Sequence, residues 1–377
     1  MRSRLGAVVL ALIASASEAR AQCSDGTPPP CAAPSVRPAS RTVSPPPAAD
    51  RARRFLILPF RNVTRGAEQD WLVEGSTTML SDALARWQGI TVVPDEKLYP
   101  ALRRAGIQPG VVADATRVRR VSEETGGWTV VTGEVLATGD QVRITARAWD
   151  GPTSKELVRV SSQVPRGGDV RQAFDSVSLR LLQSVGLDSA TTDLADVTTR
   201  NLDAYRAYLR GLAHHRRTEI TSARAAFEEA IRRDSSFALA WAKLSDAILS
   251  SEPTAILQPT SRAGLASARA VALSTKLPPR QRALVMAQDA MFRAQFSETR
   301  RLIDGLLKED PIDVEALMLK VGLEQFDPIS VTVAGGLRPR GTPSEAARVA
   351  KRIVELDPAR HSMYGFLAQL YGNAGSP

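Results

Sequence analysis

Between Tyr205 and Leu244 the chain reads YRAYLRGLAHHRRTEITSARAAFEEAIRRDSSFALAWAKL. Small residues punctuate it at Gly211, Ala223, Ala230 and Ala238, and Phe227, Trp241 and Leu244 lie among them. Gly211 to Ala223 is 12 residues, Ala223 to Ala230 is 7, and Gly211 to Ala238 is 27. Two antiparallel helices need such offsets: small side chains where the backbones approach, and large apolar ones to fill the remaining space. The expected packing set is therefore Gly211, Ala223, Phe227, Ala230, Trp241 and Leu244.

The pattern resembles the tetratricopeptide repeat, a helix–turn–helix unit of about 34 residues. A unit of this type buries its apolar face by stacking on its neighbours, so the resemblance implies an all-α solenoid with a concave, binding surface. The repeats are expected over 200–377. Asp234 closes the first unit; Asp310-Pro311 and Asp357-Pro358 close later ones. Asp234 to Asp310 is 76 residues, two units plus a short loop expected at Ser250–Thr260. Asp310 to Asp357 is 47 residues, one unit plus a Gly/Pro-rich insertion over Asp327–Thr342. That makes four units, the later ones degenerate. His361–Tyr371 reads as half of a fifth, whose Tyr364, Leu367 and Leu370 have no following helix to cover them. It is either a terminal cap or the sign of a chain that stops short of its natural end.

Residues 1–21 read as an export signal. Arg2 and Arg4 precede the apolar run Leu5–Ala16, and Ala19-Arg20-Ala21 fits small-x-small cleavage before Gln22. Twelve apolar residues are too few to span a bilayer as a mature helix. No later segment is long and apolar enough to do so, and the expected location is periplasmic or cell-envelope associated. Residues 22–52, rich in Pro, Ala and Ser, read as an extended tether. Cys23 and Cys31 leave three readings open: a disulfide closing a small loop, two unpaired thiols, or lipidation of Cys23.

The 377 residues are 43% hydrophobic, enough for two cored domains, and carry a formal charge of +9. The basic residues are spread among 40 acidic ones without a basic block and interleaved aromatics, so nucleic acid is not an expected partner.

A first folded domain is expected over 53–187. Phe55–Phe60 reads as a strand buried on both faces, followed by a turn at Asn62–Gly66 and a helix over Gln69–Trp87. Ile90–Val93 is a second strand, and helices follow near Lys97–Ala105 and Ala113–Thr125. Trp128–Leu136 and Gln141–Trp149 alternate about a Gly139-Asp140 hairpin turn, Leu157–Val164 is a further strand, and Val170–Gly186 a closing helix. The order β-α-β-α-α-β-β-β-α is an α/β sandwich of two or three layers. Leu58-Pro59-Phe60, Asn62, Glu74-Gly75, Ala83-Leu84-Ala85, Gly133-Glu134-Val135, Val142–Ala146 and Asp150-Gly151 resemble the TolB-like amino-terminal domain, related to the flagellar FlgO domain. The resemblance covers about Arg54–Val164, and in bacterial proteins such a domain commonly precedes tetratricopeptide repeats. A polar linker is expected over 188–199.

The chain contains no GxxxxGK[ST], no GxSxG and no HExxH. Gly133 and Gly139 read as bulge and turn glycines. His214 and His215, adjacent on a helix, point about 100° apart and do not share a metal; His214 reads as a packing residue. Glu228–Arg232 and Glu229–Arg233 read as helix-surface pairs. Glu123-Glu124 reads as a solvated helix end, and Trp71 and Trp87 as core. No catalytic residue, cofactor or metal is expected. The leading reading is an exported, non-enzymatic scaffold that binds a protein or peptide through the repeat groove. The alternative is a ligand-sensing module, which a polar cleft in the α/β domain facing the groove would favour. In the repeat family the first helix of each unit lines the groove, which puts Arg206, Arg210, Arg217 and Lys243 there as exposed residues suited to an acidic partner.

Overall fold

The structure is a computed structural model that describes residues 52–64, 67–85, 87, 90–112, 114–184, 198–333, 336–356 and 361–373. The expected signal peptide, its cleavage site, Cys23 and Cys31, nearly all of the tether, most of the 188–199 linker and the Asp357-Pro358 step lie outside the described residues.

The first strand, β1 (Arg54–Ile57), sets the layering. Phe55 and Ile57 point to one face of the sheet and Leu56 to the other, because side chains alternate along a strand. The first face packs on α1 (Trp71–Ala85) and α4 (Val170–Ser184) through Leu72, Met79, Leu80, Phe174 and Leu181. The second packs on α2 (Asp95–Ala105) and α3 (Ala115–Thr125) through Leu98, Leu102 and Val121. The strands are completed by β2 (Arg61–Asn62), β3 (Thr91–Val92), β4 (Thr129–Thr138), β5 (Gln141–Asp150) and β6 (Lys155–Pro165). Their order is β3-β1-β4-β5-β6, with β2 also on β4. β3, β1, β2 and β4 run parallel where they pair, whereas β4-β5-β6 is an antiparallel meander, so the sheet is mixed. Three layers are present over β1 and β4.

Two local expectations change. Asn62 lies in a short strand beside Val135 rather than in a turn, and the register sets Arg61 opposite Glu134, which it binds at 2.6 Å. Gly133 is neither turn nor bulge. It sits mid-strand, where an added Cβ would overlap the ring of Phe60, so the missing side chain is what lets Phe60 reach the core.

The helical half is a succession of hairpins: α5 (Leu202–Arg216) on α6 (Ile220–Arg233), α7 (Ala238–Ser251) on α8 (Arg262–Ala272), α9 (Pro279–Phe292) on α10 (Phe296–Glu309) and α11 (Val314–Phe326) on α12 (Pro343–Leu356), followed by α13 (His361–Asn373). The first and third hairpins superpose in sequence at an offset of 76, the spacing between Asp234 and Asp310. Thr218 and Ala294, 76 apart, both turn their hairpins with positive φ, 62° and 55°. Gly211 corresponds to Ala287 and Phe227 to Ile303, all buried. Ala223, Ala230 and Leu244 are also buried, while Trp241 is half-buried and donates Nε1–H to the Ser235 carbonyl at 3.0 Å.

The two insertions fold as structure of their own. Pro253–Leu257 forms a 3-10 turn that buries Ala255. The 327–342 segment contains a β-hairpin, β7 (Ser330–Val333) with β8 (Gly336–Pro339). Its base is clamped by the buried Asp327 carboxylate, which accepts from Arg340 Nε at 2.8 Å and Arg300 Nη2 at 3.1 Å, while Arg300 also donates to Glu324 at 2.7 Å. Asp327→Asn should cost about 2 kcal/mol, the scale of a charge-assisted bond lost in a buried site, and should speed proteolytic cutting of the hairpin. An unchanged cleavage rate would show that the clamp does not hold it. In α13, Met363 is buried and Leu367 packs beside it, while Tyr364 is exposed.

Candidate functional site

α2 begins at Pro94-Asp95-Glu96, so two carboxylates sit at the positive end of its helix dipole. This end of the sheet domain meets the inner helices of the hairpins. Arg216, at the end of α5, donates to Asp95 at 3.0 Å and to Glu74 of α1 at 2.7 Å, with its guanidinium 4.5 Å from the Tyr99 ring centre. Arg217 donates to the other oxygen of Glu74 at 2.7 Å. Farther along, Lys243 of α7 binds Glu315 of α11 at 2.6 Å. Arg280 of α9 binds Asp313 at 2.8 Å and Glu315 at 3.0 Å. Asp313 doubles as the N-cap of α11, accepting from Ala316 N at 3.1 Å. The two clusters are joined electrostatically: Asp95 senses Glu315 and Lys243, and Glu96 acts on Lys243 and Arg280.

The protonation states follow from these neighbours. Burial raises Asp95, and the charges of Glu315 and Glu74 raise it further against the pull of Arg216. Burial would also raise Glu74, but Arg216 and Arg217 outweigh it and hold that carboxyl below the usual range. Glu315 is likewise desolvated, yet Lys243 and Arg280 hold it well below. The pH consequence has a definite sign. Glu74 and Glu315 bind protons more readily unfolded, so their stabilisation is complete above about pH 4.5 and is lost as pH falls. Asp95 works oppositely, because the folded state binds its proton more tightly. The carboxyls of Asp234 and Asp327 are lowered as well, so the melting temperature should fall between about pH 5 and 3. Glu315→Gln should flatten that slope and Asp95→Asn should steepen it. A melting temperature flat across this window in the unaltered protein would remove the assigned role.

The four cations expected to be exposed in the groove separate in space. Lys243 is mostly buried and committed to Glu315, with Asp246 at 3.5 Å; it is not an exposed residue. Arg206 stacks over Trp71 of α1, 4.9 Å from the ring centre, and reaches Asp203 at 3.4 Å. Arg210 and Arg217 are exposed and stand at the rim of an open cleft of about 450 Å³ between α1, the 108–109 loop and α5. Trp71, Val73, Leu209 and Ala213 line its apolar part. Part of the inner helical face is thus closed by the chain's own α2, and the open surface lies beside it.

Other side chains also differ from expectation. His214 is half-exposed and pairs with Glu219 at 2.5 Å instead of packing. Glu228 accepts from Arg224 at 3.1 Å, whereas Glu229 takes Arg233 at 2.8 Å as expected. Glu124 is not simply solvated: Arg104 Nε donates to it at 2.8 Å. Trp71 and Trp87 are half-buried against the core. The sequence reading missed the seam formed by Glu74, Asp95, Arg216, Arg280, Asp313 and Glu315. Its local signals were acidic residues in the first turns of α1, α2 and α11. Nothing local links Asp95 to Arg216 across 121 positions.

No protein-family model and no curated protein matches the chain. Partial likeness to solved structures exists. The LpoB C-terminal domain from Salmonella enterica has a TM-score of 0.26 and 17% identity, covering 30% of this chain and 82% of that one. TolB from Acinetobacter baumannii has a TM-score of 0.26 and 20% identity, covering 36% of this chain and 29% of that one. The lipoprotein GNA1162 from Neisseria meningitidis has a TM-score of 0.26 and 17% identity, covering 37% of this chain and 99% of that one. Likeness of this extent says nothing of activity. Among the described residues no helix is long and apolar enough to cross a membrane, and no three His, Cys, Asp or Glu side chains gather as a metal site.

Proposed function

We propose that the chain is an exported, non-enzymatic interaction scaffold of the bacterial cell envelope, holding a protein or peptide partner with its tetratricopeptide-like helical half. The export reading of residues 1–21 supports the location. The observation that carries the scaffold reading is the junction. Ion pairs from Arg216 and Arg217 to Glu74 and Asp95 bind the sheet domain to the helical half, and beside them both halves wall an open cleft. Sites shared between two packed units are a usual place for recognition.

The test is site-specific photo-crosslinking in cells, with the crosslinking residue in place of Gln108 or Ala213 at the cleft, or of Ser176 on α4. Protein adducts from the cleft positions and none from Ser176 are expected. The Arg206→Glu, Arg210→Glu pair should lower affinity for the crosslinked partner at least tenfold, with salt dependence. Equal adducts from all three positions, or none, would overturn the reading. The cleft volume, about 450 Å³, falls in the small-molecule range of roughly 300–1,000 Å³ and favours a second reading, ligand sensing. Absent protein adducts together with a melting-temperature rise in a small-metabolite fraction would select that alternative.

A further inference from the structure

We propose that this cleft docks an acidic peptide segment that inserts one apolar side chain; this rests on the scaffold reading and names its surface. The cleft is apolar inside, and its edge carries two arginines, Arg210 and Arg217, together with the carboxylates of Asp70 and Glu74. Trp71 and Val73 come from α1, Leu209 and Ala213 from α5. The helices close together beneath it because Gly75 carries no side chain: an added Cβ would stand 3.0 Å from Leu209 Cδ1. An anchor side chain entering here meets apolar surface from both halves of the molecule.

The rim supplies the charge preference. Arg210 and Arg217 keep 51% and 54% of their side-chain exposure, whereas their carboxylate partners Glu229 and Glu74 keep only 29% and 24%. The guanidinium groups are therefore what solvent meets. Arg210 engages Glu229 through Nη2 at 2.6 Å and Arg217 engages Glu74 through Nη2 at 2.7 Å. A guanidinium has five N–H donors in a planar fork, so one such bond leaves room for a second carboxylate. Asp70 and Glu74 also line the cleft and oppose this: Glu74 is engaged by both Arg216 and Arg217, while Asp70 accepts from Asn62 Nδ2 at 2.6 Å, a neutral donor that does not offset its charge. Val111 and Val112, just past the lining residue Pro109, are 60% and 71% exposed and extend the apolar surface outward. A short cleft with an apolar interior and two cations suits a peptide better than a polyphosphate backbone, which is held by a long row of cations.

The probe is a phage-displayed random short-peptide library, panned on the intact mature chain. Enriched sequences should place Asp or Glu beside Phe, Trp, Leu or Ile. The best peptide, synthesised and titrated while tryptophan fluorescence is followed, should lose affinity at least tenfold in the Arg210→Gln, Arg217→Gln pair and weaken with added salt. Ala213→Phe, which fills the cleft, should block it, and circular dichroism should show both variants folded. Enrichment without acidic bias, no enrichment, or unchanged affinity in the folded double variant would overturn the docking site. If peptides bind with unchanged affinity in these variants, the cleft fails while the scaffold reading stands. If an oligonucleotide, run alongside, binds in place of peptides, the peptide assignment falls.

Discussion

Glu315→Ala is expected to remove about 3 kcal/mol of stability, because breaking a buried ion pair strands its partners in low dielectric. Lys243 and Arg280 both end on Glu315, at 2.6 and 3.0 Å. The Glu315 side chain keeps 23% of its exposure, which places the loss at the lower end of that range. Lys243→Met alone should also destabilise, while Lys243→Met with Glu315→Met should recover much of the loss, since replacing the pair removes both the charges and their desolvation. Urea denaturation of the parent, Lys243→Met, Glu315→Met and the double variant measures the coupling. Hydrogen exchange at the start of α11 should rise in Glu315→Ala, because Glu315 lies in its first turn beside the Asp313 cap. Additive single losses below about 1 kcal/mol would show that the cations simply rehydrate.

Phe227→Ala should cost about 3–5 kcal/mol, the usual result of emptying a buried aromatic site. Phe227 is fully buried, and its ring centre lies 5.9 Å from that of Tyr208. It occupies the space that Gly211 leaves open: an added Cβ at Gly211 would overlap the Phe227 ring. Gly211→Ala should therefore destabilise despite alanine's better helix propensity, and Gly211→Leu should do so more. Combining Gly211→Ala with Phe227→Leu should cost less than the two changes summed. Thermal melts decide this, and two Gly211 variants both near the parent would mean that α5 and α6 do not approach closely here.

Much of the architecture is legible in short-range pattern. The alternation in 128–149 and the Gly139-Asp140 turn mark β4 and β5, and the strand–helix order 54–184 follows the expected sequence of elements apart from the added β2. The short strand β2 is harder to read, because two residues define no period and its pairing with β4 is what makes it a strand, whereas β3 lies within the longer apolar run Ile90–Val93. The β-hairpin at 330–339 escapes for a related reason. A Gly/Pro-rich composition announces a loop, while the clamp that shapes its base comes from Arg300, 27 positions before Asp327.

What the sequence determined by itself is local and periodic: the helices, their small-residue contacts at Gly211, Ala223 and Ala230, and the order of strands along the chain. What the tertiary structure decided is which charges meet. Arg206, Arg210, Arg217 and Lys243 look equivalent along the helices, yet one stacks on Trp71, two rim a cleft and one is buried against Glu315. The physical reason is range. Helix and strand patterns arise from neighbours within a few residues, whereas an ion pair depends on two side chains brought together by the packing of separate elements and on how much water that packing removes.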